Sequence, residues 1–320
     1  MTGGKASHDA IVWGPPNEQA KNKAHKTPVW KAEMTSELGA ATPYIMVDAE
    51  YTPEELDHQA KTLISAKWIN GGASCNAPQN VLVSKHWKQR EAFVKALENA
   101  WQQSPENQSY YPGAPQRWKA FQQAYSKDSK VVFNAGSKQT EGNIDETHLP
   151  MLMVSINANL STAEGRNKAS SEYALRNEAF APVLVVVTMD DDDFQQYMYG
   201  TLSSSMAVPS SATNSPQVAK ALQDLKYGAI VTNGWAEHSY LTYPLAWGGV
   251  SGEQLDSVES GIGNVINCMM FDKIEKCVLK MPCITPVHFD FCKSREEQAG
   301  AHKFVSHLLM GLDPALVGAM

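Results

Sequence analysis

The feature that most limits how this 320-residue chain can fold is a series of short, unbroken aliphatic runs. They are "YIMV" at 44–47, "NVLV" at 80–83, "KVVF" at 130–133, "MLMVSI" at 151–156, "VLVVVT" at 183–188 and "GAIVT" at 228–232. A half-exposed strand alternates apolar and polar residues. These runs do not alternate, so they predict strands covered on both faces. Segments of helical period lie between them. "TPEELDHQAKTLISAKW" opens with Thr52 as cap and Pro53 in the first turn, and "KHWKQREAFVKALENAW" spaces Trp87, Phe93, Val94, Leu97 and Trp101 along one face. Strands alternating with helices predict an α/β sheet. The Ser-rich "TLSSSMAVPSSATNSP" reads as strand edge and loop. The acidic "MDDDDFQQYMYG" at 189–200 reads as carboxylates at the positive end of a helix, in preference to a metal site.

Composition excludes several classes of function. With 43% hydrophobic and 19% charged residues the chain is an ordinary globular one with a substantial core. A formal charge of -7 and the lack of a dense Lys/Arg block argue against nucleic acid. No apolar segment reaches the 18 or so residues of a membrane span, and "MTGGKASHDAIVWG" has no signal-peptide pattern. The five cysteines, Cys75, Cys268, Cys277, Cys283 and Cys292, are an odd number without C-x-x-C spacing, which fits free thiols rather than disulfides or zinc. No metal is expected. A reducing compartment follows, cytoplasmic by default, with organelle targeting left open.

Two residues stand out chemically. In "WINGGASCNAPQNVL", Cys75 lies among small residues, with apolar runs on either side rather than around it. A free thiol is only about 3% thiolate at pH 7, so a nucleophile needs N–H dipoles or a cation nearby, and Gly71 and Gly72 allow close backbone approach. This favours a reactive cysteine, in an electropositive loop with a lowered pKa, over a structural one. In "TSELGAATPYIMV", Glu37 stands before a buried strand beside a glycine, as a general base that activates water would; taken alone it reads rather as a helix-capping or surface carboxylate. The opening "MTGGKASHDAIVWG" reads as a glycine turn leading into a helix, suited to a phosphate, or as a plain loop.

Taken in order, "ELGAATP", "NGGASCNAP", "NEAFAPVL" at 177–184, "GAIVTNGW" at 228–235 and "AWGGVSG" at 246–252 resemble the signature segments of the aldehyde dehydrogenase superfamily, from residue 2 to about 282. The resemblance implies a catalytic domain with a covered, mainly parallel sheet, plus a remnant of a Rossmann-type cofactor domain. It divides the chain into a cofactor-domain remnant (1–38), a catalytic domain (39–252), a return segment with an oligomerisation strand (253–284) and a tail (285–320). By resemblance Cys75 matches the nucleophile and Glu37 the general base. Gly3 falls in the cofactor turn, Leu38 and Gly39 on the strand end facing the nicotinamide, and Glu178 with Phe180 on its ribose and ring. Asn70 and the Cys75 N–H fall on the substrate and oxyanion side. Ala73 and Ala40 stand where the family pattern has glutamine and glycine.

The chemistry implied is oxidation of a small-molecule aldehyde to a carboxylate with NAD or NADP, through a cysteine thioester that water opens. Trp68, Trp235 and Trp247 suggest aromatic pocket walls, and "KIEKCVLKM" at 273–281 resembles a strand that pairs across subunits. The family's second oxyanion donor, an asparagine, belongs to sequence that would precede residue 1. Only 36 residues stand before Glu37, too few for two nucleotide-binding halves of roughly 30 residues or more each. The chain is therefore expected to be a fragment of a longer enzyme, or a short family member whose missing domain is covered by a homo-oligomer or partner chain. Alone it is expected to bind NAD or NADP no better than about millimolar. The alternative is a non-catalytic subunit; a cysteine hydrolase is disfavoured because no motif places a histidine beside Cys75.

Overall fold

The computed structural model describes residues 1–189, 194–242 and 245–284. The acidic run at 190–193 and the tail from 285 lie outside the described residues. Ten strands are found among them: β1 Pro43–Met46, β2 Asn80–Ser84, β3 Ser129–Val132, β4 Met151–Ala158, β5 Val183–Met189, β6 Ser203–Ala207, β7 Ala229–Thr232, β8 Trp247–Gly248, β9 Asn264–Ile266 and β10 Cys277–Lys280. The helices are α1 Lys5–Trp13, α2 Pro16–Ala24, α3 Pro53–Trp68, α4 Arg90–Gln103, α5 Ala114–Ala124, α6 Ala163–Ser170, α7 Tyr173–Arg176, α8 Pro216–Asp224 and α9 Glu237–Leu241.

Eight strands form one sheet in the order β10-β7-β6-β1-β2-β5-β4-β3. All its pairings are parallel except β3 with β4. The unbroken aliphatic runs are explained by what lies on either side. In β5, Val183, Val185 and Val187 enter one buried cluster with Trp118 and Phe121 of α5 and Val218 and Leu222 of α8. Leu184 and Val186 enter another, with Leu63 and Ile64 of α3 and Phe93, Leu97 and Trp101 of α4. Each successive side chain leaves water on one face or the other, so none needs to be polar.

Helix α3 starts where expected. The Glu55 N–H donates to Thr52 Oγ1 (3.2 Å) and the Thr52 N–H donates back to Glu55 Oε2 (2.8 Å), a reciprocal capping pair. Thr52→Ala is expected to destabilise the fold by about 1 kcal/mol, read as a lowered urea midpoint at unchanged slope.

One expectation is corrected. Ser203–Ala207, read as strand edge and loop, is a fully buried strand paired with both β1 and β7. Its serines are small enough to sit in the covered sheet, and no hydrogen-bond partner is found among the described residues for the hydroxyls of Ser203, Ser204 and Ser205. The segment expected to pair across subunits contributes β10, which pairs with β7 of the same chain at the sheet edge. The four described cysteines are free thiols.

Candidate active site

The sheet order explains how residues far apart in sequence meet. β1, β2 and β5 are consecutive parallel neighbours, so the segments entering them lie along one edge of the sheet. Those segments carry Glu37–Ala40, Cys75 and Glu178–Phe180 respectively. The chain after β7 folds back to the same place, where Trp235 Nε1 donates to the Asn76 carbonyl (2.9 Å) and Asn76 Nδ2 donates to Glu237 Oε2.

Cys75 sits on a turn built from residues able to take left-handed backbone. Asn70, Gly71 and Gly72 have φ of 52°, 60° and 74°. At Gly72 an added Cβ would lie 2.6 Å from the Ala181 carbonyl oxygen, so glycine is required there on two counts. Asn70 is exposed, and what it contributes in this geometry is the turn. Thr42 Oγ1 donates to the Cys75 carbonyl (3.2 Å), and no acceptor is found among the described residues for the Cys75 N–H, which stays available to an oxyanion.

Glu37 is 2% exposed, and its Oε1 has no hydrogen-bond partner among the described residues. Its backbone is fixed: the Glu37 N–H donates to the Met1 carbonyl (2.8 Å) and its carbonyl accepts from the Gly3 N–H (3.1 Å). Leu38 donates to the Ser260 carbonyl (2.9 Å), and Ser260 Oγ donates to the Gly39 carbonyl (3.0 Å). The "SGIG" segment of the return region thus lines the strand that carries Glu37.

The electrostatics reverse one expectation. Burial first, then the charge and hydrogen bonding of Glu37 and the charges of Glu178 and Glu237, push the Cys75 thiol well above the ordinary thiol range. The loop is electronegative, and the resting sulfur is a thiol. Burial also pushes the Glu178 carboxyl up to about 7, against the opposing effects of the Ala40 N–H, which donates to its Oε1 (3.2 Å), of Arg117 and of Lys67. Gly39 makes room for that carboxylate, since an added Cβ would stand 2.1 Å from Glu178 Oε2.

Trp235 and Trp247, 6% and 1% exposed, pack in one cluster to which Cys75 adds. Trp68 does not join them. Its Nε1 donates to the Pro105 carbonyl (2.7 Å) and its ring packs with the α3–α4 cluster. Sequence reasoning missed Gln79, whose Nε2 donates to the carbonyls of Ala174 and Asn177 (both 2.8 Å) and whose Oε1 accepts from the Ala179 N–H (2.7 Å). This amide ties the cysteine segment to the Glu178 turn. Glu237, Lys67 and Arg117 were missed as well. The one signal in reach was Lys67, a charge inside the otherwise apolar end of α3 in "LISAKW".

The covered, mainly parallel α/β sheet thus brings a thiol, a buried carboxylate and an N–H together where β1, β2 and β5 begin. The aldehyde dehydrogenase family profile matches residues 19–271, and the chain belongs to that family. A search of curated proteins found no match. Among solved structures it is similar to γ-glutamyl-γ-aminobutyraldehyde dehydrogenase from Burkholderia cenocepacia (18% identity, TM-score 0.57, covering 83% of this chain and 48% of that one). Glyceraldehyde-3-phosphate dehydrogenase from Methanocaldococcus jannaschii, solved with NADP, gives 16%, 0.57, 84% and 50%, and lactaldehyde dehydrogenase from Escherichia coli gives 20%, 0.54, 82% and 50%. The chain spans about half the length of these relatives.

Proposed function

We propose that this chain is the catalytic portion of an NAD(P)-dependent aldehyde dehydrogenase, with Cys75 as nucleophile and Glu37 as general base. The observation that carries the reading is the buried Glu37 oxygen without a partner, beside the one cysteine on a strained glycine turn. Because the resting sulfur is protonated, Glu37 takes the thiol proton as sulfur adds to the aldehyde carbon. The developing oxyanion meets the free Cys75 N–H. Residues able to meet a nicotinamide nucleotide are Gly3, Leu38, Gly39, the half-buried Phe180 ring and the Glu178 carboxylate, which can accept from ribose hydroxyls; when bound, NAD or NADP supplies the hydride acceptor. Loss of hydride from the hemithioacetal carbon leaves a thioester on Cys75. Once Glu37 has released that first proton to solvent, it takes a proton from water as the water attacks the thioester, and returns it to the departing Cys75 sulfur, leaving the thiol and a carboxylic acid that ionises to the carboxylate.

The substrate is a small aldehyde, and the chain works in a reducing compartment. Ile11, Val29 and Trp30 of the 1–38 region are 43%, 51% and 47% exposed, which supports a second subunit or chain on that side. No described helix is long and apolar enough to cross a membrane. The test of the site needs no cofactor. An activated acyl donor such as p-nitrophenyl acetate should place one acyl group on Cys75, mapped by peptide mass, and Cys75→Ala should abolish it. Acylation confined to Cys268 or Cys277, or none at all, would overturn the assignment.

A further inference from the structure

The turn Asn177–Ala181 is held by one cation and lies beside a second, and the mechanism above leaves both without a role. Arg117, on α5, reaches it in three ways. Its Nε donates to the Ala179 carbonyl (2.8 Å) and an Nη donates to the Phe180 carbonyl (3.1 Å), so one guanidinium spans two successive peptide units. Its Cζ stands 5.9 Å from the Phe180 ring centroid and 5.8 Å from that of Tyr111, while the two rings meet edge-on at 4.7 Å. The restraint has something to hold, because Phe180 has φ of 44°, a left-handed backbone uncommon for an aromatic residue. Room for the guanidinium comes from Gly113, where an added Cβ would lie 2.6 Å from Arg117 Nη1.

Lys67 is the second cation. It is 1% exposed, at the end of α3, with its Cδ packed 3.1 Å from where a Cβ on Gly72 would stand. A lysine taken this far from water loses several kcal/mol of hydration unless something compensates it. The one charged group acting on it among the described residues is Glu178.

We propose that Arg117 is a positioning residue for Glu178 and Phe180, fixing the backbone of the turn that carries both, and that the Lys67 ammonium, buried beside the same turn, steadies the Glu178 carboxylate by its charge rather than by a contact. The proposal rests on the reading of Glu178 and Phe180 as the nicotinamide-facing pair. In this arrangement the Phe180 backbone cannot swing without breaking two hydrogen bonds and a ring contact.

The titration behaviour is consistent with that pairing. Burial lowers Lys67 to about 7 and raises Glu178 to about 7, and each opposes the other's shift. The groups acting on Glu178 are Lys67 from α3, Arg117 from α5, Glu37 and the Ala40 N–H from the segment before β1; Cys75 and Tyr199 feel its charge in turn. Removing either cation therefore raises the Glu178 midpoint.

The test uses the 320-residue chain with 13C-labelled glutamate, the Glu178 carboxyl signal being identified by its loss in Glu178→Gln. Lys67→Met and Arg117→Gln should each move the midpoint up by about half a pH unit or more. Arg117→Lys keeps the charge without the two-carbonyl fork. It should leave the midpoint within a few tenths of a unit while amide exchange across residues 178–181 speeds up roughly tenfold. Thermal unfolding checks that each variant folds, and Lys67→Gln replaces Lys67→Met if the latter does not. Midpoints unmoved in both charge-removing variants, or exchange unchanged in Arg117→Lys, would overturn the proposal. Adding NAD or NADP at several millimolar tests the underlying reading separately: a Glu178 signal that ignores both sinks the cofactor assignment and leaves the positioning result standing.

Discussion

An acyl group placed on Cys75 is expected to persist about a hundred times longer, or more, in Glu37→Gln than in the unaltered chain. Opening a thioester with water near neutral pH needs a base within reach of the water. Among the described residues, Glu37 is the one beside the thiol whose carboxylate oxygen is buried without a partner. The substitution changes little else. Gln has the same shape, and the position of residue 37 is set by backbone bonds to Met1, Gly3 and the 260–262 segment that do not involve the side chain. Acyl-enzyme decay followed by intact mass after a short exposure to p-nitrophenyl acetate reads the lifetime directly. Equal lifetimes in the two proteins would remove Glu37 as the base and transfer the role to Glu237 or Glu178, the other carboxylates that act on Cys75.

How much of this was legible beforehand depended on the range over which each interaction acts. The aliphatic runs predicted β1, β2, β4, β5 and β7 because a strand covered on both faces must be apolar at every position, a constraint written locally. β6 failed the same reasoning. "SSSMA" sits between β1 and β7 with small side chains in a fully buried strand, and one of its two partners, β1, comes from far back in the chain, where Tyr44 pairs with Ser205. Cys75 and Glu37 could be singled out because glycines and polar residues break the pattern just before each strand, whereas Glu178 entered only through the family resemblance. Their meeting, however, follows from β1, β2 and β5 being adjacent, which no single stretch encodes. Arg117 and Gln79 were illegible for the same reason. Each looks like an ordinary polar residue until its partners, backbone carbonyls and an N–H about 60 to 100 residues on, are brought to it.

The charge around the thiol was the largest misreading, and it leads to the second prediction. A glycine loop before a nucleophile suggests N–H dipoles and a depressed pKa, so iodoacetamide would be expected to find Cys75 first. With burial and the carboxylates of Glu37, Glu178 and Glu237 all favouring the neutral thiol, the order reverses. At pH 7.5 the exposed Cys268 should be alkylated before Cys75, and Cys75 should lag by at least about tenfold, since each unit of pKa costs a factor of ten in thiolate. Poor access alone would also slow Cys75, but it would scale the whole pH profile without moving its midpoint. A raised pKa keeps the rate climbing above about pH 9.5, where an ordinary thiol with pKa near 8.5 has levelled off. Glu37→Gln should accelerate Cys75 several-fold at a fixed pH by removing the nearest negative charge, with Cys268 unaffected as the internal control. A bound oxidised nicotinamide would add positive charge near the sulfur, so a protonated resting thiol is compatible with the proposed reaction. Peptide mapping over a pH series decides it: Cys75 labelled ahead of Cys268, with a midpoint at or below 8.5, would show that the three carboxylates do not govern the sulfur and that the resting nucleophile is already a thiolate.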